Sequence, residues 1–368
     1  MTSLTTGTQG GEALRVAVAS GLPGVTVPDD PPVLSRDDVA EAIVHRVEGI
    51  VLNALGRGCV VADEEVVNEL RTAHRSAMRT CLVAEETAVL ALEALDDAGL
   101  AVRVLKGVAI AHLDHSDPSE RVFGDVDLLV QRGDHRRALA ALQQAGFHRK
   151  EPPIRGWWEQ RFGKAAVLVA SNGGELDLHL VITGGYFGEL INHSQLWKRR
   201  GQTIVLAGRH AESLALEDRL LNACCHAVLG GQSGLRATRD VAQLILLSGA
   251  DWTTTVDRAE RDGVELVIAE AVRKSWVALA LDSSHAVARW ADSSTSDHRQ
   301  HRALEGYRAA IGHGWASEGR SVVAALGPVD RIRFVAGLVL PSRSSLHARN
   351  RTRRQHFIRL GESVRGSK

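Results

Sequence analysis

The sequence lacks any apolar run close to the roughly 18–20 residues that a membrane helix needs. Its first eleven residues contain no basic residue and no apolar stretch of the kind found in signal peptides. We therefore expect a cytoplasmic protein that has no membrane partner.

The chain also lacks a net charge, because 44 basic residues balance 44 acidic residues. It therefore has no overall positive field with which to collect nucleic acid, and a nucleic-acid partner is not expected. The exception is segment 341–368, where eight arginines and lysines accompany one acid, Glu362. We interpret this segment as a solvated or locally paired tail.

Cysteine is scarce, and no two cysteines have the CxxC spacing of a redox or zinc site. Cys224 and Cys225 precede His226, but no second group of ligands follows at zinc spacing. The four cysteines are predicted to be small buried residues in a reducing compartment.

The hydrophobic pattern predicts an α+β fold in which a small mixed sheet is flanked by helical regions. Short Val-rich and alternating segments predict strands in the middle of the chain, and apolar stripes at helical spacing predict helices on both sides. The polar stretch 282–300 is predicted to be a loop. The predicted segments are a flexible leader at 1–33, an N-terminal helical region at 34–98, a core at 99–210, a C-terminal helical region at 211–340 and the basic tail at 341–368.

Two carboxylates alternate with apolar residues in the segment Asp125-Val-Asp127-Leu-Leu-Val130. Residues two apart in a strand project from the same face, so Asp125 and Asp127 stand about 7 Å apart on one face. Such neighbours repel each other unless a cation lies between them, and Mg²⁺ is the natural partner. Taken alone, the pattern is equally typical of a solvated strand face.

A second segment, Glu175-Leu-Asp177-Leu-His179, repeats the alternation. If it forms the strand beside the first, Asp177 completes a cluster of three carboxylates. Such a cluster can hold two Mg²⁺ ions, as in enzymes of phosphoryl transfer. We therefore predict that Asp125, Asp127 and Asp177 are both metal ligands and catalytic residues.

Three motifs together resemble the uncharacterised bacterial nucleotidyltransferases of the DNA polymerase β-like superfamily. They are Val104-Leu-Lys106-Gly107, Arg121-x-x-Gly-Asp-Val-Asp-Leu-Leu-Val130 and Leu176-Asp-Leu-His179. Segment 211–240, with His226 and Arg239-Asp240, also resembles the helical region that follows in that family. The resemblance covers about residues 75–280.

The resemblance implies a polymerase β-like core that transfers a nucleoside monophosphate from an NTP, with ATP as the expected donor. Asp125 and Asp127 match the pair that binds both metals, and Asp177 matches the carboxylate that helps to activate the acceptor hydroxyl. Gly107 matches a glycine whose backbone N–H faces the triphosphate. The chain departs from the pattern at Lys106-Gly107, where Gly-Ser or Gly-Gly is usual, so no Ser hydroxyl is available. Lys106 is predicted either to replace that hydroxyl with a charge or to pair with an aspartate.

Further candidates have two open interpretations each. Arg121 is predicted either to contact phosphate or to form a structural ion pair, and His179 either to orient the acceptor or a carboxylate or to be structural. The helical residues His226 and Asp240 either close over the nucleotide or bond between helices. Trp157 and Trp158 either stack on a base or acceptor or pack against the sheet.

Several functions remain compatible with these motifs. In the first, the acceptor is a hydroxyl or phosphate of a small molecule, peptide or protein. In the second, the chain is an inactive scaffold that binds nucleotide or a partner, as the missing hydroxyl after Lys106 suggests. In the third, it modifies a toxin-like protein partner.

Overall fold

A computed structural model of the chain describes residues 11–230, 234–313 and 322–348, with Thr352, Arg354, Gln355 and Ile358 beyond them. Residues 1–10 of the predicted leader and most of the predicted basic tail therefore lie outside the described residues. The fold is α+β, as predicted: helices precede and follow a five-stranded mixed sheet.

The N-terminal helical region pairs three short helices with one long helix. A capping box begins the second helix, with the Ser35 hydroxyl accepting from the Asp38 amide at 3.2 Å. The helices are α1 (Glu12–Ala19), α2 (Arg36–His45), α3 (Glu48–Gly56) and α4 (Glu64–Asp97).

The central region contains the sheet and the short helices that connect its strands. Its elements are β1 (Val102–Val104), α5 (Lys106–Asp114), a 3₁₀ turn (Pro118–Glu120), β2 (Asp125–Val130), α6 (His135–Gln144), β3 (His148–Arg149), α7 (Gly156–Phe162), β4 (Ala165–Val169), β5 (Glu175–His179), α8 (Gly185–Leu190), α9 (His193–Lys198), β6 (Thr203–Leu206) and β7 (Arg209–Glu212).

The strand order in the sheet is β1-β2-β5-β4-β3. Strands β2 and β5 pair in parallel, whereas the other neighbours are antiparallel. Strands β4 and β5 form a hairpin with a glycine-rich turn, in which Gly173 has a φ of 84°. Strands β6 and β7 form a separate hairpin.

The C-terminal region is helical. Its elements are α10 (Leu216–Leu229), α11 (Leu235–Leu246), α12 (Trp252–Asp262), α13 (Glu265–Leu279), α14 (Ala286–Ser293), α15 (His298–His313), α16 (Pro328–Val339) and α17 (Arg343–Ala348). The prediction of a loop at 282–300 is wrong for the residues of α14. They form a helix because Val287, Ala288 and Ala291 are buried against the helical core.

Both faces of the sheet are covered. On one face, Val126, Leu128 and Val130 pack in a core with residues of α4. On the other face, Leu129 belongs to the core built by the C-terminal helices. The strands therefore show the double burial of a sheet packed between two helical layers.

The predicted flexible leader is wrong for residues 12–19, which form α1. Leu14, Ala17 and Val18 are fully buried in a core that also contains Leu235 of α11 and Leu279 of α13. The prediction missed this short helix because the segment is rich in glycine, threonine and proline, a composition that is typical of a loop. The N-terminal segment is thus part of the same core as the C-terminal helices.

None of the helices among the described residues is both long enough and apolar enough to span a lipid bilayer.

Leu14 tests the role of α1. We expect Leu14→Ala to lower the free energy of unfolding by about 2–4 kcal/mol, since it removes a fully buried side chain and leaves a cavity. Urea unfolding followed by circular dichroism measures this change. The exposed neighbour Glu12→Ala is the control. Equal stability of wild type and Leu14→Ala would show that α1 does not contribute to the core.

Candidate functional site

The parallel pairing of β2 with β5 brings the two acidic segments together. In this register Asp127 lies opposite Asp177, and Asp125 lies opposite Glu175. Neighbouring strands are about 4.8 Å apart, so the two opposed aspartates stand side by side. The pairing that the sequence predicted for Asp177 is therefore confirmed.

The carboxylates lie on the face of the sheet that meets the C-terminal helices. Asp125, Asp127 and Leu129 alternate along β2 and share a face, and Leu129 packs against those helices. Asp125 at the start of the strand is exposed, whereas Asp127 is 5% exposed. The site therefore lies at the amino end of β2, between the sheet and the C-terminal region.

Asp127 is buried and receives two donors on the same oxygen. Lys106 Nζ and His179 Nε2 each lie 2.6 Å from Asp127 Oδ1. Burial alone would raise the pKa of this carboxyl, but the Lys106 charge and the His179 hydrogen bond hold the pKa well below its usual range. Asp127 is therefore ionised, and Lys106 and His179 both contact Oδ1 rather than its other oxygen, Oδ2.

His179 is fully buried and orients Asp127. Burial and the neighbouring Lys106 charge lower the pKa of His179 to about 4, so the ring is neutral near pH 7 and has one N–H. We assign that proton to Nε2, because its contact with a carboxylate is charge-assisted and shorter than the 3.2 Å from Nδ1 to the Val181 carbonyl oxygen. Of the two roles left open for His179, the structure supports the orientation of a carboxylate.

Asp177 is the least stabilised of the acidic groups. Burial, together with the negative charges of Asp127 and Asp125, raises its pKa to about 6. Its Oδ2 lies 4.0 Å from His179 Nε2, too far for a hydrogen bond. An ionised Asp177 therefore carries an electrostatic cost that a bound cation would relieve.

The residues present fit a metal ion. Asp127, Asp177 and His179 lie together, with one oxygen or nitrogen of each within 4.8 Å of the others. Because His179 Nε2 carries the proton that it donates to Asp127, the two carboxylates would be the ligands and His179 positions one of them. Carboxylate oxygens are the ligands that Mg²⁺ prefers, and Asp127 Oδ2 is the oxygen that remains for one. Asp125 is not a member of this group, although it shares the face and begins the strand.

Lys106 has an unusual backbone. Its φ of 35° lies in the left-handed region, which favours glycine. This residue stands where the resembling family has a glycine, so the lysine keeps a glycine-like conformation and adds a charge. Holding a side chain there costs of order 1–2 kcal/mol, which the ion pair with Asp127 offsets.

Gly107 occupies the first turn of α5, where backbone N–H groups have no partner within the helix. A Cβ atom at Gly107 would stand 2.8 Å from Phe123 Cβ and 3.3 Å from Arg121 Nη1. The absent side chain therefore allows α5 to approach the segment that leads into β2.

Arg121 forms a buried ion pair. Its Nε and Nη2 donate to the two oxygens of Asp240 at 3.2 and 2.6 Å, and both side chains are 3% exposed. Arg121 thus forms the structural ion pair that was one of its two predicted roles, and Asp240 of α11 is its partner. A phosphate contact by Arg121 stays a prediction. Half-buried His226 lies near them, and burial together with Lys106 lowers its pKa to about 4.

The tryptophan pair does not pack on the sheet. Trp158 contacts the rings of Phe162 and Phe334, and its Nε1 donates to the Phe334 carbonyl oxygen at 3.0 Å. Trp158 therefore joins α7 to α16, while Trp157 is 45% exposed.

Two arginines near the site were missed by sequence reasoning. Arg236 in α11 donates to the Val122 carbonyl oxygen at 3.2 Å, and Arg46 at the end of α2 lies against Gly124. Arg46 belongs to a distant segment without a motif, so no local signal identifies it. Arg236 lies within the family-like segment 211–240, but nothing in its spacing distinguishes it from its neighbours.

The raised pKa of Asp177 predicts a pH-dependent gain in stability on substitution. Between the unfolded pKa near 3.8 and the folded pKa near 6, the folded state binds the extra proton, so the stability of the wild type falls as pH rises through this window. We expect Asp177→Asn to raise the free energy of unfolding by about 2 kcal/mol at pH 8, and by much less at pH 4.5. Urea unfolding in EDTA at both pH values measures the difference. Exposed Asp97→Asn is the control for the loss of one negative charge, and an equal gain at both pH values would contradict the assignment.

The Lys106–Asp127 pair predicts a loss that a second substitution reverses. Lys106→Met leaves a buried carboxylate without its cation, and we expect a loss of about 3 kcal/mol in the free energy of unfolding. Lys106→Met/Asp127→Asn should recover most of it. Lys150→Met, which breaks the exposed Lys150–Glu175 pair, is the matched control and should change little. A Lys106→Met protein as stable as the control variant would rule out a stabilising ion pair.

Comparisons with known proteins place the chain in a family. The model of a family described as uncharacterised nucleotidyltransferases matches residues 37–274. No curated protein matches the chain. Among solved structures, the chain is similar to an antigenic nucleotidyltransferase-like protein from Paracoccidioides brasiliensis, with 16% identity and a TM-score of 0.31 over 54% of this chain and 94% of that chain. The family match runs from α2 into α13, and on this basis the chain belongs to the family of uncharacterised nucleotidyltransferases, as its three motifs predicted.

Proposed function

We propose that this protein is a Mg²⁺-dependent nucleotidyltransferase that moves a nucleoside monophosphate from an NTP to a hydroxyl or phosphate group of an acceptor. The observation that carries the proposal is the register of the parallel pair β2–β5, which sets Asp127 opposite Asp177. A solvated strand face would not place buried like charges side by side.

The carboxylates of Asp125, Asp127 and Asp177 are the groups that would hold two Mg²⁺ ions. When bound, the ions would supply positive charge to the triphosphate and lower the pKa of the acceptor hydroxyl. His179 keeps Asp127 in place through its 2.6 Å hydrogen bond, so that Oδ2 of Asp127 stays available as a ligand.

Asp177 is suited to accept a proton. Its carboxylate is the group that would take the proton of the acceptor hydroxyl, the role that the resemblance implies for this position. The acceptor oxygen then attacks the α-phosphorus and forms the new O–P bond. The bond from that phosphorus to the bridging oxygen breaks, and pyrophosphate leaves with the electron pair.

Lys106 and the first turn of α5 supply donors for the donor nucleotide. The Lys106 ammonium lies at the edge of the carboxylate cluster, 2.6 Å from Asp127, where it can also meet a phosphate oxygen. The backbone N–H groups of Lys106 and Gly107, in the first turn of α5, would donate to a phosphate oxygen of the donor nucleotide. These residues would replace the hydroxyl that the family pattern places after the first glycine.

The proposal also includes the donor and the acceptor of the reaction. ATP is the first donor to test, and the acceptor is a small molecule, a peptide or a protein in the cytoplasm. Nucleic acid is not the expected acceptor, because the chain has no net positive charge.

A second candidate function is a catalytically inactive scaffold. The observation that favours it is the Lys106–Asp127 ion pair, because a lysine that neutralises the buried carboxylate removes part of the need for a metal. Metal-dependent binding of a nucleotide separates the enzyme from a scaffold that binds only a partner, and release of pyrophosphate separates it from a scaffold that binds nucleotide.

A thermal-shift titration with ATP, GTP, CTP and UTP, each with and without Mg²⁺, tests the enzyme. We expect at least one NTP to raise the melting temperature only with Mg²⁺, because a ligand that binds the folded state stabilises it. Asp125→Asn/Asp127→Asn should abolish this shift. Asp97→Asn, exposed at the end of α4 and before β1, should retain it. No shift with any NTP would favour the scaffold.

A further inference from the structure

Two guanidinium groups flank the backbone that leads into Asp125. Arg236 Nη1 donates to the Val122 carbonyl oxygen at 3.2 Å. A Cβ atom added at Gly124 would stand 3.0 Å from Arg46 Nη1, so this second guanidinium lies against the glycine. Arg46 follows α2 and Arg236 lies in the first turn of α11, so the two helical regions each contribute one arginine.

Tight packing holds these two arginines near each other. Arg46 ends α2 in a left-handed conformation with a φ of 52°. The preceding residue, His45, lies so close to Gly234 at the start of α11 that a Cβ atom there would stand 2.3 Å from His45 Nδ1. The end of α2 and the start of α11 therefore form one wall beside the amino end of β2.

The positive charges of Arg46 and Arg236 in this wall are not paired with neighbouring acidic residues among those that the structure describes. Neither Arg46 nor Arg236 forms an ion pair with any described residue, and Asp240 is committed to Arg121. Burial lowers the pKa of Arg236 to about 10, and the charges of Arg121 and Arg46 contribute to the shift. Glu48, the other acid in this field, is buried and its pKa is raised by that burial.

Guanidinium groups without an ion-pair partner, beside a carboxylate cluster, suit the binding of a polyphosphate. Metal ligands and anion donors must lie side by side to hold a polyphosphate, because the metals bridge its oxygens to the carboxylates. Guanidinium groups bind phosphate oxygens through paired N–H donors. Arg236 interacts electrostatically with Asp125, which places it on the correct side of the cluster.

We propose that Arg46 and Arg236 bind the polyphosphate chain of the nucleotide donor beside Asp125. This inference rests on the proposed function for the identity of the ligand, and it adds a binding group from each helical region. It also gives the N-terminal helices a place in the site, since Arg46 reaches Gly124 from the end of α2.

Calorimetric titration with inorganic tripolyphosphate in EDTA tests the two arginines without metal. The full-length Asp125→Asn protein is the background, because it removes one repelling charge and keeps the Lys106–Asp127 pair. We expect Arg46→Gln and Arg236→Gln each to raise the Kd for tripolyphosphate about tenfold, the loss expected for a charge-assisted contact. Arg236→Lys should lose less than Arg236→Gln.

Arg137→Gln is the control for the loss of one positive charge. Arg137 is exposed and donates to the Ala98 carbonyl oxygen, at the end of the sheet remote from Asp125. Arg46 is itself exposed, so Arg46→Gln is expected to fold even if Arg236→Gln does not. Circular dichroism checks the fold of each variant.

Two results would overturn the inference: tripolyphosphate that does not bind the background protein, or binding that is equal in the arginine variants and Arg137→Gln. Neither depends on catalysis. Failure of Mg²⁺-dependent NTP binding in the wild type would instead overturn the proposed function. Arginine-dependent binding of tripolyphosphate would then remain as an anion site without a transferase.

Discussion

A buried carboxylate must be neutralised by its surroundings, and much of the site's geometry follows from meeting this condition at Asp127. Two partners compensate the charge of Asp127 on β2: His179 on β5 and Lys106 at the start of α5. Each partner is constrained in turn. Lys106 adopts a left-handed backbone to reach the carboxylate, and His179 is fully buried and neutral. At Asp177 the nearby lysine charges do not outweigh burial and the repulsion of the other carboxylates, and its pKa is raised to about 6. The contrast between the two aspartates separates a fixed ligand from a group that can exchange a proton.

The C-terminal helices complete the site because buried ion pairs hold them on the sheet layer. Arg121 pairs with Asp240 of α11, and Asp114 of α5 pairs with Arg219 of α10 at 2.7 Å. Helix α11 is central, since Arg239 beside Asp240 donates to the carbonyl oxygens of Val18 and Ser20. One helix thus contacts the N-terminal segment, the entry to β2 and the surroundings of Asp125. Removing one partner of such a pair would leave a buried charge, which is why these contacts fix the geometry.

The sequence predicted the strands of the site because alternation is a local signal. Asp125, Asp127, Asp177 and their apolar neighbours could be assigned to faces from spacing alone, and the resemblance supplied the adjacency of the strands. The partner of Arg121 could not be predicted, since Asp240 follows 119 residues later and no periodicity links them. Helix α1 was missed because eight helical residues lie among turn-forming ones. Strand β3 was missed because two residues are too few to show a pattern, and β7 because only one of its four residues, Ala211, is apolar.

The parallel pairing of β2 with β5 also has a consequence for the order of folding. Asp127 and His179 are 52 residues apart in the chain, and a parallel pair cannot close through a tight turn. The hairpin of β4 and β5 can form from local contacts, whereas the β2–β5 ladder requires closure of a long loop and is intrinsically slower. We therefore expect Asp177 to meet Asp127 after the local hairpin has formed, so that collapse of the apolar surface precedes the repulsion between the two strands.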